Sequence, residues 1–261
     1  MKGIWSIVLA FFLVLATGEA GAEITDIHSA INKAGRQRML SQRMAKAYFQ
    51  LGLEVDVERS RKVLAASVDL FDRQLADLKR YAPTAEIRDT YDKLGRSWLA
   101  YKDLLLAASP SPESGRRVLE ASEGVLALAQ RATALLERQA GTAAGRLTDM
   151  AGRQRMLSQR MAKYYQALVW GVGDAASAAE LEKSRREFDG AQQELAAAGA
   201  KAPRIREGLE LVQQQWIFFQ SALDPRNVRD KRSALVVASA SERILEEMEN
   251  LVGLYEKGAA R

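Results

Sequence analysis

Apolar residues recur three or four apart along most of the chain. Leu64, Val68, Phe71, Leu75 and Leu78 form one such row, which places them on a single buried face of a helix. The rows break where proline, glycine and small polar residues cluster. In the first half the breaks fall at Ala82-Pro83-Thr84 and at Ser109-Pro110-Ser111-Pro112. In the second half they fall at Gly171-Val172-Gly173-Asp174, from Gly199 to Pro203, and at Asp224-Pro225. Proline cannot continue a helix from within, so these breaks act as stops. The pattern predicts helices over about 25–53, 57–81, 85–108 and 113–136, then four more after the midpoint. Between the halves, Gln139 to Leu147 holds no proline, and the fourth helix is free to run on into the fifth.

The N-terminus has a different pattern. After Met1-Lys2, the run from Ile4 to Ala16 is apolar except for Ser6, and Ala20-Gly21-Ala22 supplies a small-residue cleavage pattern. At 13 residues the run is short for a membrane span, which needs about 20 apolar residues. It reads as a cleaved secretory signal over residues 1–22, giving an exported, periplasmic protein.

The chain also repeats itself. Ala34 to Lys46 reads AGRQRMLSQRMAK, and Ala151 to Lys163 reads the same 13 residues at an offset of 117. Fainter matches follow. Phe71-Asp72 pairs with Phe188-Asp189, Pro83 with Pro203, and Trp98 with Trp216. Ser122-Glu123 pairs with Ser241-Glu242 at an offset of 119. The expected fold is all-α, with two tandem antiparallel four-helix bundles over 23–140 and 141–261. The matched tryptophans are expected in the two cores.

Composition narrows the chemistry. With 5 prolines and 18 glycines in 261 residues, and abundant Ala, Leu, Glu, Gln, Arg and Lys, the chain favours helix throughout. It has no cysteine and one histidine, His28. That excludes thiolate chemistry and multi-histidine metal sites, so no metal or cofactor is expected. No acid–base–nucleophile constellation stands out, and no enzymatic activity is expected. A base for Ser41 or Ser158 is lacking, because Lys46 and Lys163 lie about 140° further round the helix. The 38 basic residues outnumber the 33 acidic ones, giving +5, but they are scattered. This suits a small anionic ligand better than nucleic acid.

The repeated segment is where chemistry is specified. On a helical wheel Met39, Leu40, Met44 and Leu51 share the face expected to meet their own bundle core, with Arg36 and Arg43 among them. These two arginines, with Arg153 and Arg160 in the second copy, are expected to form structural ion pairs with acidic neighbours such as Asp69, Asp72 or Glu120. On the opposite face lie Ala34, Arg38, Ser41 and Ala45, repeated as Ala151, Arg155, Ser158 and Ala162. Small residues let two helices approach closely, and an arginine among them needs a partner. If the two stripes meet across a pseudo-twofold axis, Arg38 and Arg155 face one point. A planar oxyanion would match their guanidinium forks. Gly35 and Gly152 would expose backbone there, and Ser41 and Ser158 would add hydroxyls.

The motif resembles the start of the PilJ-type sensor domain of type IV pilus chemotaxis transducers. That domain is in turn similar to the periplasmic sensor domain of nitrate/nitrite-responsive histidine kinases of the NarX type. The kinase pattern is fitted by Ala34-Gly35, Arg38-Met39, Ser41 and Arg43, and by Ala151-Gly152, Arg155-Met156, Ser158 and Arg160. The resemblance implies that Gly35, Arg38, Gly152 and Arg155 contact nitrate or nitrite where two helices meet. It also implies signalling through a partner, such as a membrane receptor or transport system, and a homodimer is compatible with it. The alternative of another class is a ligand-free helical interaction or scaffold protein of the cell envelope.

Overall fold

The computed structural model describes residues 24–107, 109–223 and 231–259. The proposed leader and the Asp224-Pro225 break lie outside the described residues. Eight helices follow in order: α1 (Ile27–Gly52), α2 (Val57–Tyr81), α3 (Ala85–Leu106), α4 (Pro112–Ala140), α5 (Ala143–Trp170), α6 (Ala175–Gly199), α7 (Pro203–Ala222) and α8 (Lys231–Ala259). No strand occurs among the described residues.

The local sequence accounts for the helix ends. The Asp26, Thr84, Thr142 and Asp174 side chains accept from backbone N–H groups of the first turns of α1, α3, α5 and α6. Ser111 and Ser114 form a reciprocal capping box at α4, with Pro112 at the first helical position. Each such cap stabilises a helix by about 1 kcal/mol. The segment from Gln139 to Leu147, which the sequence left free to continue as helix, is a short break. Gly141 takes φ 61 and closes α4, and Thr142 then caps α5. A left-handed glycine followed by a capping threonine ends one helix and starts the next without any proline.

In each half the first helix packs on the second and fourth, and the third packs on the fourth, while the second and third touch only slightly. The sequence row on α2 faces inward, with Leu64, Val68, Phe71, Leu75 and Leu78 all buried. Trp98 stacks on Phe71 with ring centroids 4.1 Å apart, and Trp216 lies 4.3 Å from Phe188. Each indole N–H donates to the matched aspartate, Asp72 or Asp189, at 2.7 Å. The tryptophans are core residues, as expected.

The most extensive helix pairing in the molecule is between the halves, α1 against α5. These helices run parallel. Gly35 lies beside Gly152 near their middle, and Gly52 lies beside Trp170 at their C-terminal ends. Each is therefore wrapped by its own bundle and by the other motif helix. The Trp170 ring occupies the space a Cβ on Gly52 would need and packs against Tyr48 and Phe49. The residue at the place of Trp170 in the first copy is Leu53. A Gly52→Ala substitution should lower stability by about 1–3 kcal/mol by forcing the indole aside. Thermal unfolding of Gly52→Ala against Gly52→Ala/Trp170→Leu checks this, and the second variant should recover most of the loss.

Candidate functional site

The face selected from sequence becomes the α1–α5 seam. Ala34, Ala45, Ala151 and Ala162 are buried there and allow close approach. Arg38 and Arg155 are fully buried, at 0% exposure. A Cβ built on Gly35 would lie 3.2 Å from Arg38 Nη2 and 3.4 Å from Arg155 Nη2. On Gly152 it would lie 3.2 Å from Arg155 Nη2 and 3.5 Å from Arg38 Nη2. Both guanidiniums thus close on one point over two facing glycines. Two like charges this close repel by roughly 2–3 kcal/mol at an effective dielectric of about 20. Glycine matters here for space rather than for backbone conformation. Burial, then Arg36 and Arg38, pushes the Arg155 pKa down.

Anionic and amide groups offset this repulsion. Arg38 donates to Gln130 Oε1 on α4 at 2.9 Å and to Asp149 Oδ1 on α5 at 2.6 Å. Arg155 donates to Glu249 Oε2 on α8 at 2.7 Å and to the Asn32 carbonyl on α1 at 3.3 Å. The Nε atom of each arginine is buried without a hydrogen-bond partner. Burying such a donor unsatisfied costs about 1–3 kcal/mol.

Ser41 and Ser158 lie on the seam with their hydroxyls engaged within their own helices. Each donates at 2.8 Å to the carbonyl three residues back, that of Arg38 or Arg155. This back-bonding is available to any serine within a helix and competes with ligand contact.

Arg36, Arg43, Arg153 and Arg160 form ion pairs, but not with the acids expected. Arg36 and Arg43 do not point into their own bundle. They pair with Glu249 and Glu242 on α8 of the other half. Arg153 pairs with Glu187 on α6, and Arg160 with Glu180 on α6 and Glu123 on α4. Asp72 is instead engaged by Trp98 and Lys102. The reason is the parallel seam, which brings the flank of α1 against α8 and the flank of α5 against α4.

Two further residues complete these crossed clamps. Lys46, buried at 1% exposure, reaches Ser241 and Glu242, and the fully buried Lys163 reaches Ser122 and Glu123. Sequence reasoning missed them as site residues, although the repeat held the signal. The matched pairs Ser122-Glu123 and Ser241-Glu242 are the partners of the matched lysines. Burial lowers Lys46 and Lys163 to about 8 despite their glutamates. Burial alone would raise Glu242, but Lys46 and Arg43 overrule it and hold it at about 2. A carboxylate held below its unfolded value adds stability above the unfolded pKa. That stability is lost as pH falls from the ordinary glutamate range toward about 2. Melting temperature against pH should therefore fall more steeply below the ordinary glutamate range in the wild type than in Glu242→Gln. Glu242→Ala, which strands Lys46 and Arg43, should cost about 3–5 kcal/mol at neutral pH.

Two solvent-open grooves approach the seam. One, of about 530 Å³, is lined by Arg36, Arg43, Glu242 and Glu249 among others. The other, of about 320 Å³, lies between α5 and α6 and is lined by Arg146, Asp149, Arg153 and Glu187. A separate cleft of about 420 Å³ between α6 and α7 touches none of the motif residues. Among the described residues no acidic or histidine cluster could hold a metal ion, and no helix is long and apolar enough to cross a membrane.

Comparison with known proteins agrees with this architecture. The PilJ family, the N-terminal region of type IV pili methyl-accepting chemotaxis transducers, matches residues 26–124 and again residues 126–244. Methyl-accepting chemotaxis protein McpN of Pseudomonas aeruginosa is 34% identical over 119 residues, covering 42% of this chain and 22% of that protein. The chain thus spans about a fifth of that relative's length. No solved structure matches. With both matches together covering most of the sequence, the chain belongs to the PilJ sensor-domain family.

Proposed function

We propose that this protein is an exported periplasmic sensor that binds a small oxyanion, with nitrate or nitrite as the first candidates, at the seam between two sensor units spanning 23–140 and 141–261. One observation carries the reading. Arg38 and Arg155 are fully buried, close on one point over Gly35 and Gly152, and each keeps an unpartnered Nε donor. A planar anion accepts from several guanidinium N–H groups at once and relieves their mutual repulsion. Because one arginine comes from each repeat, one chain supplies both halves of the site. An anion there favours the state in which α1 and α5 are close, and the signal is the resulting shift of packed helices. Membership of a transducer family supports output to a partner, which we take to be a membrane receptor or transport protein.

The scaffold reading has one observation in its favour. Asp149 and Glu249 already pair with the two arginines, so the seam closes with its charges offset. Calorimetry separates the readings. Residues 23–261 would be titrated with nitrate, nitrite and sulfate at low and moderate salt. The expected result is one anion per chain, with affinity about tenfold or more weaker in Arg38→Lys, which keeps charge but loses the fork. Binding should be absent in Arg38→Ala/Arg155→Ala. Two anions per chain would break the shared-site reading. No heat and no thermal shift with any of the three would favour the scaffold.

A further inference from the structure

The two arginines sit in matched frames that differ in a crossed way. Gln130 and Glu249 hold equivalent places on α4 and α8, at the offset of 119 that relates Ser122-Glu123 to Ser241-Glu242. Asn32 and Asp149 hold equivalent places on α1 and α5, at the offset of 117 that relates the motifs. Arg38 therefore meets an amide from α4 and a carboxylate from α5, whereas Arg155 meets a carboxylate from α8 and a backbone carbonyl from α1. Each arginine has one carboxylate, and the two carboxylates come from different structural positions.

Both carboxylates also stand on the solvent side of their arginine. Asp149 is 15% exposed and lines the α5–α6 groove, and Glu249 is 33% exposed and lines the groove beside α1 and α8. Arg38 and Arg155 are at 0%. Each groove sets its carboxylate among arginines, Glu249 beside Arg36 and Arg43 in one and Asp149 beside Arg146 and Arg153 in the other. Glu249 is shared, since it bridges Arg155 and Arg36. Asn32 donates to Glu256, about two turns further along the same face of α8.

Resting on the oxyanion reading above, we propose that Asp149 and Glu249 are built-in competitors of the ligand: an anion reaches the arginine pair by displacing one or both carboxylates, and their release, Glu249 from α8 above all, is the event that binding transmits. Like charges repel, and a carboxylate and an oxyanion compete for the same N–H donors. The competitors set affinity and select against anions too large or too weakly accepting to replace them. Loss of the Glu249 bridge uncouples α8 from both Arg36 and Arg155, giving the C-terminal helix of the molecule a two-state contact.

The repeat itself supplies conservative tests. Asp149→Asn installs the residue found at position 32, and Glu249→Gln the residue found at position 130. Nitrate, nitrite and sulfate are titrated into the full chain as exported, with circular dichroism to check the fold of each variant. Each single variant should bind its anion about tenfold tighter than the wild type, and the double variant tighter still. Gln130→Glu, which adds a carboxylate at the matched place, should weaken binding by a similar factor and remains informative if an amide variant fails to fold. Unchanged or weaker binding in folded Asp149→Asn and Glu249→Gln overturns the proposal while leaving the oxyanion reading intact. Binding in these variants but not in the wild type supports the competitors and overturns the oxyanion reading for the native chain. Absence of binding in the wild type and in every variant overturns both.

Discussion

Everything in this molecule depends on the contact between α1 and α5. Each motif helix is surrounded by its own bundle and by its repeat, and so is buried on nearly every side. Yet the motif is rich in arginine, glutamine, serine and lysine. A helix that polar is buried at reasonable cost only where most of its polar groups find partners. The matching is supplied in symmetrical sets. Gln42 and Gln159 donate to the carbonyls of Ser122 and Ser241, and Gln37 and Gln154 to those of Phe71 and Phe188. These contacts hold each motif helix to its own unit or to that unit's fourth helix.

The lysines and outer arginines do the opposite. Lys46 and Arg43 reach across to α8, and Lys163 and Arg160 reach across to α4. The two halves are thereby locked by charges placed at the same motif positions. Buried ion pairs add less net stability than their Coulomb energy suggests, because both ions lose water. Their consequence is geometric. A mis-set seam would leave the buried Lys46 and Lys163 without their glutamates, so register between the repeats is fixed. A rigid register is also what the anion site proposed for this seam requires, since a small anion can be read only if the groups around it are held to within fractions of an ångström.

On the N-terminal side of the clamps, the glycines and the central arginines form a second set of contacts across the seam. Gly35 and Gly152 bring the backbones close, and the guanidiniums fill the space that side chains would otherwise take. Here the pairing is crossed and uneven, with Gln130 and Asp149 on one arginine and Glu249 on the other. The arrangement combines a paired frame with a central cluster in which two buried arginines meet unlike partners, and it is on this cluster that the proposed anion site rests.

Much of this was legible in the sequence. Helix periodicity and its proline and glycine breaks determined the helices, because local stops act through local sterics. Between the units the sequence left a break or a continuous helix open, because a left-handed glycine such as Gly141 leaves no composition cue as strong as proline. The duplicated motif determined which arginines were special, since identical residues on one face of two helices point to one environment. Tertiary structure alone decided the rest. Arg36 and Arg43 lie beside hydrophobic residues on the wheel, and only the parallel docking of α1 on α5 shows that their partners are on α8, some 200 residues away. The same docking recruited Lys46, Lys163, Asp149 and Glu249. A sequence fixes what a helix face offers. Which long, flexible charged side chain meets which distant acid depends on how whole helices pack, and that is a property of the assembled fold.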